Sequence, residues 1–272
     1  MICRCYNSCM NESKPYALIT GASAGLGACF AKALATRGLN LILVARRKER
    51  LEKLATSLEE NHKISAEVFP ADLTNATDLA KVYDRIKQCE NLEFLINNAG
   101  FGTHPLFAES DLESQSAMLK LHVNAVAELS HAALPNMVKC NKGNIINVCS
   151  VAGFFSSPTN VLYCSTKAWG IAFSKSLAIE LADTNVNVEA LCPGFTYTEF
   201  HDVMQINRKL VPKPLWLNAN YVVEKSLKAL GKKTVCIPSL RYKMFVLLSR
   251  ITPEFIKNYL AKKRIKKLHK AF

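Results

Sequence analysis

The 272-residue sequence has no run of apolar residues approaching the ~18 that a membrane-spanning helix needs. It also lacks the apolar core of a signal peptide: "MICRCYNSCMNESKPY" is short and polar, which predicts an intracellular, cytoplasmic protein. No CxxC pair occurs among its ten cysteines. Cys29, Cys89, Cys149, Cys164, Cys192 and Cys236 sit singly in periodic segments, where cysteine acts as a small hydrophobe. A disulfide framework is therefore not expected. Cys3, Cys5 and Cys9 have no His or fourth Cys nearby to complete a zinc set, so no metal is expected. Met10 is an alternative start that would remove them. Internal repeats, low-complexity segments and linkers are also missing, which argues for one domain.

The formal charge of +13 is unevenly spread. From Arg241 onward there are ten Lys or Arg against one acid, Glu254, which leaves twenty-five basic and twenty-one acidic residues before it. The body is thus near +4, and the basic character belongs to the tail.

What is present is alternation. Near-continuous apolar runs at 16–20, 39–45, 66–69, 93–97, 144–150, 186–191 and 234–238 read as strands buried on both faces. Helical patterns such as "GLGACFAKALATRG" and "ERLEKLATSLEEN" separate them. This predicts an α/β fold, a Rossmann-type doubly wound parallel sheet of about seven strands. Residues 1–240 would form the domain, and 241–272 a basic helical extension without independence.

"TGASAGLG" (20–27) follows the first strand and opens the first helix. Gly21, Gly25 and Gly27 admit positive φ and remove side chains where backbone must approach a ligand. The helix start then aims free N–H groups at an anion, here a nucleotide pyrophosphate. The spacing is G-x-x-x-G-x-G rather than the common dinucleotide fingerprint. At this point the chain resembles the short-chain dehydrogenase/reductase family, whose single-domain members carry TGxxxGxG.

The resemblance extends along nearly the whole chain. "NNAG" (97–100) is similar to the motif after the family's fourth strand, Asn124 in "LHVNAVA" to its helix asparagine, and Ser150 to its catalytic serine. Tyr163 and Lys167 match YxxxK, and "PGFTYT" (193–198) matches the PGxxxT segment that lies along the nicotinamide. The resemblance implies a catalytic set of Asn124, Ser150, Tyr163 and Lys167. It implies dinucleotide contacts from Gly21, Ser23, Gly25, Leu26, Gly27, Asp72, Leu73, Asn98, Ala99, Gly100, Pro193, Gly194 and Thr198, with Tyr163 and Lys167 also touching the nicotinamide end.

Reduction of a ketone needs a hydride, which the cofactor brings, and a proton. Tyr163 is the expected donor, although free tyrosine titrates near ~10. Lys167 lies four residues on, on the same helix face, where an ammonium lowers that pKa. The resemblance also gives Lys167 a grip on the nicotinamide ribose and Asn124 a water leading to solvent. Ser150 would donate to the carbonyl oxygen.

The second strand ends "LVARRKER", with Ala45 where NAD-binding proteins place an acid. Arg46 and Arg47 suit a 2′-phosphate, with Ser23 adding a hydroxyl, so NADP(H) is expected. Asp72 would sit by the adenine, or cap a helix with Thr74.

The segment 195–217 is the expected substrate lid. It carries Phe195, Tyr197, Phe200, Met204, Leu210, Leu215 and Trp216, and Phe154, Phe155 and Pro158 come from the loop before the catalytic helix. Such a lid implies a small lipophilic carbonyl substrate, or else packs onto the body; His201 would contact a polar substrate group, or else be structural or exposed. The last segment looks like the extension of the branch holding very-long-chain 3-oxoacyl-CoA reductases, 17β-hydroxysteroid dehydrogenases and DltE-like oxidoreductases. Phe245, Val246, Leu247, Leu248 and Ile251 make an apolar face, and Lys262, Lys263, Arg264, Lys266 and Lys267 a basic stretch. Peripheral contact with an anionic membrane is one reading; packing on the domain or in a homo-oligomer, dimer or tetramer, is the other. Nucleic acid is not expected, since no motif accompanies the charge. The function expected is NADPH-dependent reduction of a lipophilic ketone, tied to lipid metabolism. The alternative is a non-catalytic NADP(H)-binding sensor or scaffold.

Overall fold

A computed structural model describes residues 14–103, 106–200 and 211–269, with the side chains of Leu260 and residues 263–269 excepted. Cys3, Cys5, Cys9, Met10, His201, Met204 and Leu210 lie outside the described residues.

The seven apolar runs become seven parallel strands in the order β3-β2-β1-β4-β5-β6-β7. They are β1 (Tyr16–Thr20), β2 (Asn40–Ala45), β3 (Ala66–Pro70), β4 (Leu92–Asn97), β5 (Gly143–Val148), β6 (Val186–Leu191) and β7 (Val235–Cys236). Leu18, Ile19, Leu41, Ile42, Leu43, Leu95 and Ile96 are fully buried, because helices cover both faces. The run expected at 234–238 shrinks to two paired residues, bonded at one edge to Leu191 and Ala190.

The helices are α1 (Gly25–Ala35), α2 (Lys48–His62), α3 (Ala76–Lys87), α4 (Leu112–Leu119), α5 (Ala125–Lys139), α6 (Val161–Glu180), α7 (Ala219–Ala229), α8 (Leu240–Ile251) and α9 (Glu254–His269). A π-helical turn, Lys120–Asn124, joins α4 to α5. One core layer packs α1, α2 and α7 on the sheet through Phe30, Leu34, Leu51, Leu58 and Val222. The other packs α3, α5 and α6 through Val82, Ile86, Leu129, Met137 and Leu177. The strand order reverses between β1 and β4, which opens a crevice at the carboxyl ends of the strands.

No described helix is long and apolar enough to cross a membrane. On α8, Tyr242 and Val246 turn inward while Leu240, Leu247, Leu248 and Ile251 are exposed. Phe255 and Tyr259 of α9 extend that exposed surface.

Candidate active site

The crevice is a cleft of about 1700 Å³. Its floor begins at the turn after β1. Gly21 and Gly25 have φ of +66° and +56°, where other residues are strained. Gly27 is required by closeness instead: a Cβ there would stand 2.3 Å from Gly21 O. α1 starts from Ala24 with no side-chain cap, so its first N–H groups face the cleft unclaimed by any cap.

Thr20 and Asn98 staple this turn to the loop after β4. Thr20 Oγ1 accepts from Asn98 N at 2.9 Å and Ala99 N at 3.0 Å. Asn98 Nδ2 donates to Thr20 O at 2.8 Å and Gly21 O at 3.3 Å. The Asn98 side chain therefore shapes the glycine turn from behind. A uncapped helix start, a cradle that a single Cβ would fill and two nearby guanidinium groups together fit a dinucleotide.

At the end of β2, Arg47 Nε and Nη2 donate to Ser23 Oγ at 3.1 and 3.0 Å. Arg47 Nη1 also meets Glu199 at 2.9 Å, and Arg50 meets the same carboxylate at 2.7 Å. Arg46 lies 3.8 Å from Asp72. Asp72 Oδ1 accepts from Thr74 N and Oγ1 at 3.0 and 2.8 Å, closing a turn; the cap of α3 is Asn75. Leu26, Leu73, Ala99, Gly100, Pro193, Gly194 and Thr198 also border or approach the cleft, Leu73 and Pro193 being buried there.

The wall opposite is built by β5 and α6. Gly170 lets α6 approach Cys149, where a Cβ would stand 2.9 Å from Sγ. Gly153 does the same for the short turn 151–154, whose cap is Ser150. These approaches bring Ser150, Tyr163 and Lys167 to one surface. Tyr163 is half-buried, and burial pushes its phenol up, opposed by the Ser150 hydroxyl beside it. Lys167 Nζ donates to Val148 O at 2.9 Å and lies 5.7 Å from the Tyr163 ring centre. Burial lowers the lysine's own pKa. The attraction expected to lower Tyr163 does not offset its desolvation.

Asn124 does not join them. It is exposed at the end of the π-helical turn and does not line the cleft. His122 is the residue of that turn that faces α6. His122 is buried, with its ring 5.9 Å from Tyr163 in an edge-on arrangement. Nothing in the sequence pattern marks His122; the turn geometry singles it out.

The residues after β6 pair with the strand-like stretch before α7: Tyr197 N donates to Leu217 O at 3.0 Å and Leu217 N to Phe195 O at 2.8 Å. Phe154, Phe155, Pro158, Phe195, Phe200 and Leu215 line the cleft. Tyr197 and Trp216 stack on each other at 4.8 Å and stay out of it. Phe245, Ser249 and Lys257 of α8 and α9 border the mouth. Tyr242 anchors them: its hydroxyl accepts from Phe195 N at 3.0 Å and donates to Leu215 O at 2.8 Å.

A doubly wound sheet with a glycine cradle at its switch point defines a nucleotide-binding α/β protein. Residues 15–209 match the family model described as short chain dehydrogenase, and the chain belongs to that family of oxidoreductases. The very-long-chain 3-oxoacyl-CoA reductase of Anas platyrhynchos is 31% identical over 195 residues, 69% of this chain and 62% of that protein. A short-chain dehydrogenase from Sphingobium yanoikuyae, solved in complex with NADPH, is 33% identical, with a TM-score of 0.80 over 88% of this chain and 97% of that one. The bulky-bulky ketone specific alcohol dehydrogenase from Comamonas testosteroni is 32% identical, with a TM-score of 0.75 over 94% of each.

Proposed function

We propose that the protein is an NADPH-dependent reductase of a lipophilic ketone, a 3-oxoacyl thioester, steroid or other carbonyl, with Tyr163 as proton donor. The convergence of Ser150, Tyr163 and Lys167 beside the glycine cradle carries this reading. A bound nicotinamide would supply the hydride. Tyr163, shifted upward by burial, is a neutral phenol across neutral pH, which is the form that donates. The phenolate left behind lies near the Lys167 ammonium, and opposite charge stabilises it there. Ser150 would donate to the carbonyl oxygen as charge develops. Arg46, Arg47 and Ser23 would take the 2′-phosphate. Asn124 has no part in this reading.

The lining of Phe154, Phe155, Phe195, Phe200 and Leu215 supports an apolar substrate. So do a relative named for 3-oxoacyl-CoA and a neighbour named for bulky ketones. NADPH consumption against a panel of ketones, 3-oxoacyl thioesters and steroids tests the assignment. Turnover confined to small polar carbonyls would reject the lipophilic class.

The tail fits a cytoplasmic enzyme that meets lipid at its surface. Leu240, Leu247, Leu248, Ile251 and Phe255 are exposed beside Arg241, Lys243 and Arg250. Such a face rests in an interface without spanning it, and residues 241–272 act as an extension of the domain at 1–240. Each basic residue near an anionic surface adds about 1 kcal/mol, less at high salt. Flotation with anionic liposomes, reversed by salt, is the expected result. No flotation, together with a dimer or tetramer that dissociates when Leu247 and Leu248 become serine, would assign the face to self-association.

A further inference from the structure

His122 is buried in the π-helical turn, and both of its ring nitrogens are engaged. Phe101 N donates to Nε2 at 3.2 Å, so Nε2 carries a lone pair. Nδ1 lies 3.0 Å from Thr166 Oγ1. The threonine hydroxyl donates to Tyr163 O at 2.9 Å, which leaves its oxygen to accept. The imidazole satisfying all three bonds is neutral with its proton on Nδ1.

The ring also separates two pieces of the site. On one side is the loop after β4: a Cβ on Gly100 would stand 2.7 Å from Nε2, and the Phe101 ring is 6.1 Å away. That loop is the one stapled to the glycine turn through Thr20. On the other side is α6, met at Tyr163 and Thr166. His122 is the shared contact of the loop and the helix.

We propose that His122 is a positioning residue: as the neutral Nδ1–H imidazole it holds the Tyr163 ring in register with the loop 98–101, and its protonation uncouples the two. This rests on the reading of Tyr163 as proton donor. Adding a proton at Nε2 sets donor against donor at Phe101 N. Burial opposes the charge, and the Lys167 ammonium on α6 opposes it further; both hold the imidazole well below its usual value. The other ionisable groups of α6 near the turn are Tyr163 and Cys164, and residues 98–103 contribute none. Glu113 of α4, Lys120 of the turn, and Glu128 and His131 of α5 are exposed.

Long-range proton–nitrogen NMR on protein labelled with ¹⁵N-histidine reads the tautomer directly, with His122→Gln assigning the signal. The expected result is a neutral Nδ1–H ring that does not titrate near pH 6.5. An Nε2–H ring, or half-protonation near pH 6.5, would overturn the proposal whether or not any carbonyl is reduced.

The pH profile of kcat/KM at saturating NADPH tests the consequence. The acid limb of the parent enzyme should track the NMR midpoint of His122. In His122→Gln that limb should vanish, with kcat about tenfold lower and NADPH affinity within about threefold. His122→Asn serves if the glutamine does not fit. An unchanged acid limb, or unchanged kcat, in a folded variant overturns the proposal and leaves the reductase reading standing. Absence of any turnover in the parent sinks the reductase reading and leaves the NMR result to decide His122.

Discussion

Glu199, from the segment after β6, forms an ion pair with Arg47, from the end of β2, at 2.9 Å across the cleft. The same carboxylate takes Arg50 at 2.7 Å, and the two guanidinium groups hold it below the usual carboxylate range. Arg47 is therefore shared between Ser23 and an acid from the segment after β6. The pair is half-exposed, so it is worth at most about 1 kcal/mol. We expect Glu199→Gln to raise NADPH affinity by up to about fivefold and leave NADH affinity unchanged. Titration of cofactor fluorescence measures both; a fall in NADPH affinity would mean that Glu199 holds the segment over the cofactor instead.

The two arginines predict selectivity. NADPH should be preferred over NADH by at least about tenfold in kcat/KM, or about 1.4 kcal/mol. Arg46→Ala combined with Arg47→Ala should erase the preference by weakening NADPH. Equal values for the two cofactors in the parent enzyme would show that neither arginine meets a 2′-phosphate.

Glu189 of β6 is fully buried, its carboxyl paired with Ser226 and raised to about 8. Burial is the main cause. Between the ordinary carboxylate value and about 8 the folded chain holds a proton that the unfolded chain has lost, so stability falls as pH rises through that window. The slope from this group is at most about 1.4 kcal/mol per pH unit. Denaturant melts of Glu189→Gln should lack this slope and show the variant gaining on the parent toward pH 8. Parallel pH dependence in the two proteins would contradict it.

Gly194 seats the tail on the site. A Cβ there would stand 2.0 Å from Cζ of Tyr242. Gly194→Ala should push the ring away, break its hydroxyl contacts with Phe195 and Leu215, and cost about 1–3 kcal/mol. Thermal melts should show the loss, with KM for an apolar ketone rising more than the Kd of NADPH. A larger effect on NADPH would place Tyr242 on the cofactor side.

Periodicity made most of this fold legible. Strands covered on both faces leave long aliphatic runs, and the limits of β1, β2 and β6 follow those runs within a residue. β7 is shorter than its run because pairing reaches only Ala190 and Leu191. The glycine cradle and the Tyr163–Lys167 pair were readable because spacing on one element fixes them. Glu199 was not, since its partner lies 152 residues away. Neither was His122: the resemblance points to Asn124, whereas the folded turn buries His122 and leaves Asn124 exposed. Of the aromatics in these segments, Phe154, Phe155, Phe195 and Phe200 line the cleft while Tyr197 and Trp216 stack outside it, a division made by packing that spacing does not reveal.

The central claim is that Tyr163 donates the proton. Tyr163→Phe keeps the ring that packs against His122 and Phe200 and removes only the hydroxyl. With a ketone that the parent reduces, we expect kcat to fall by about 10²–10⁴, the usual contribution of a placed general acid, and the Kd of NADPH to change less than about twofold. A variant that keeps more than about a tenth of parental kcat would contradict the account.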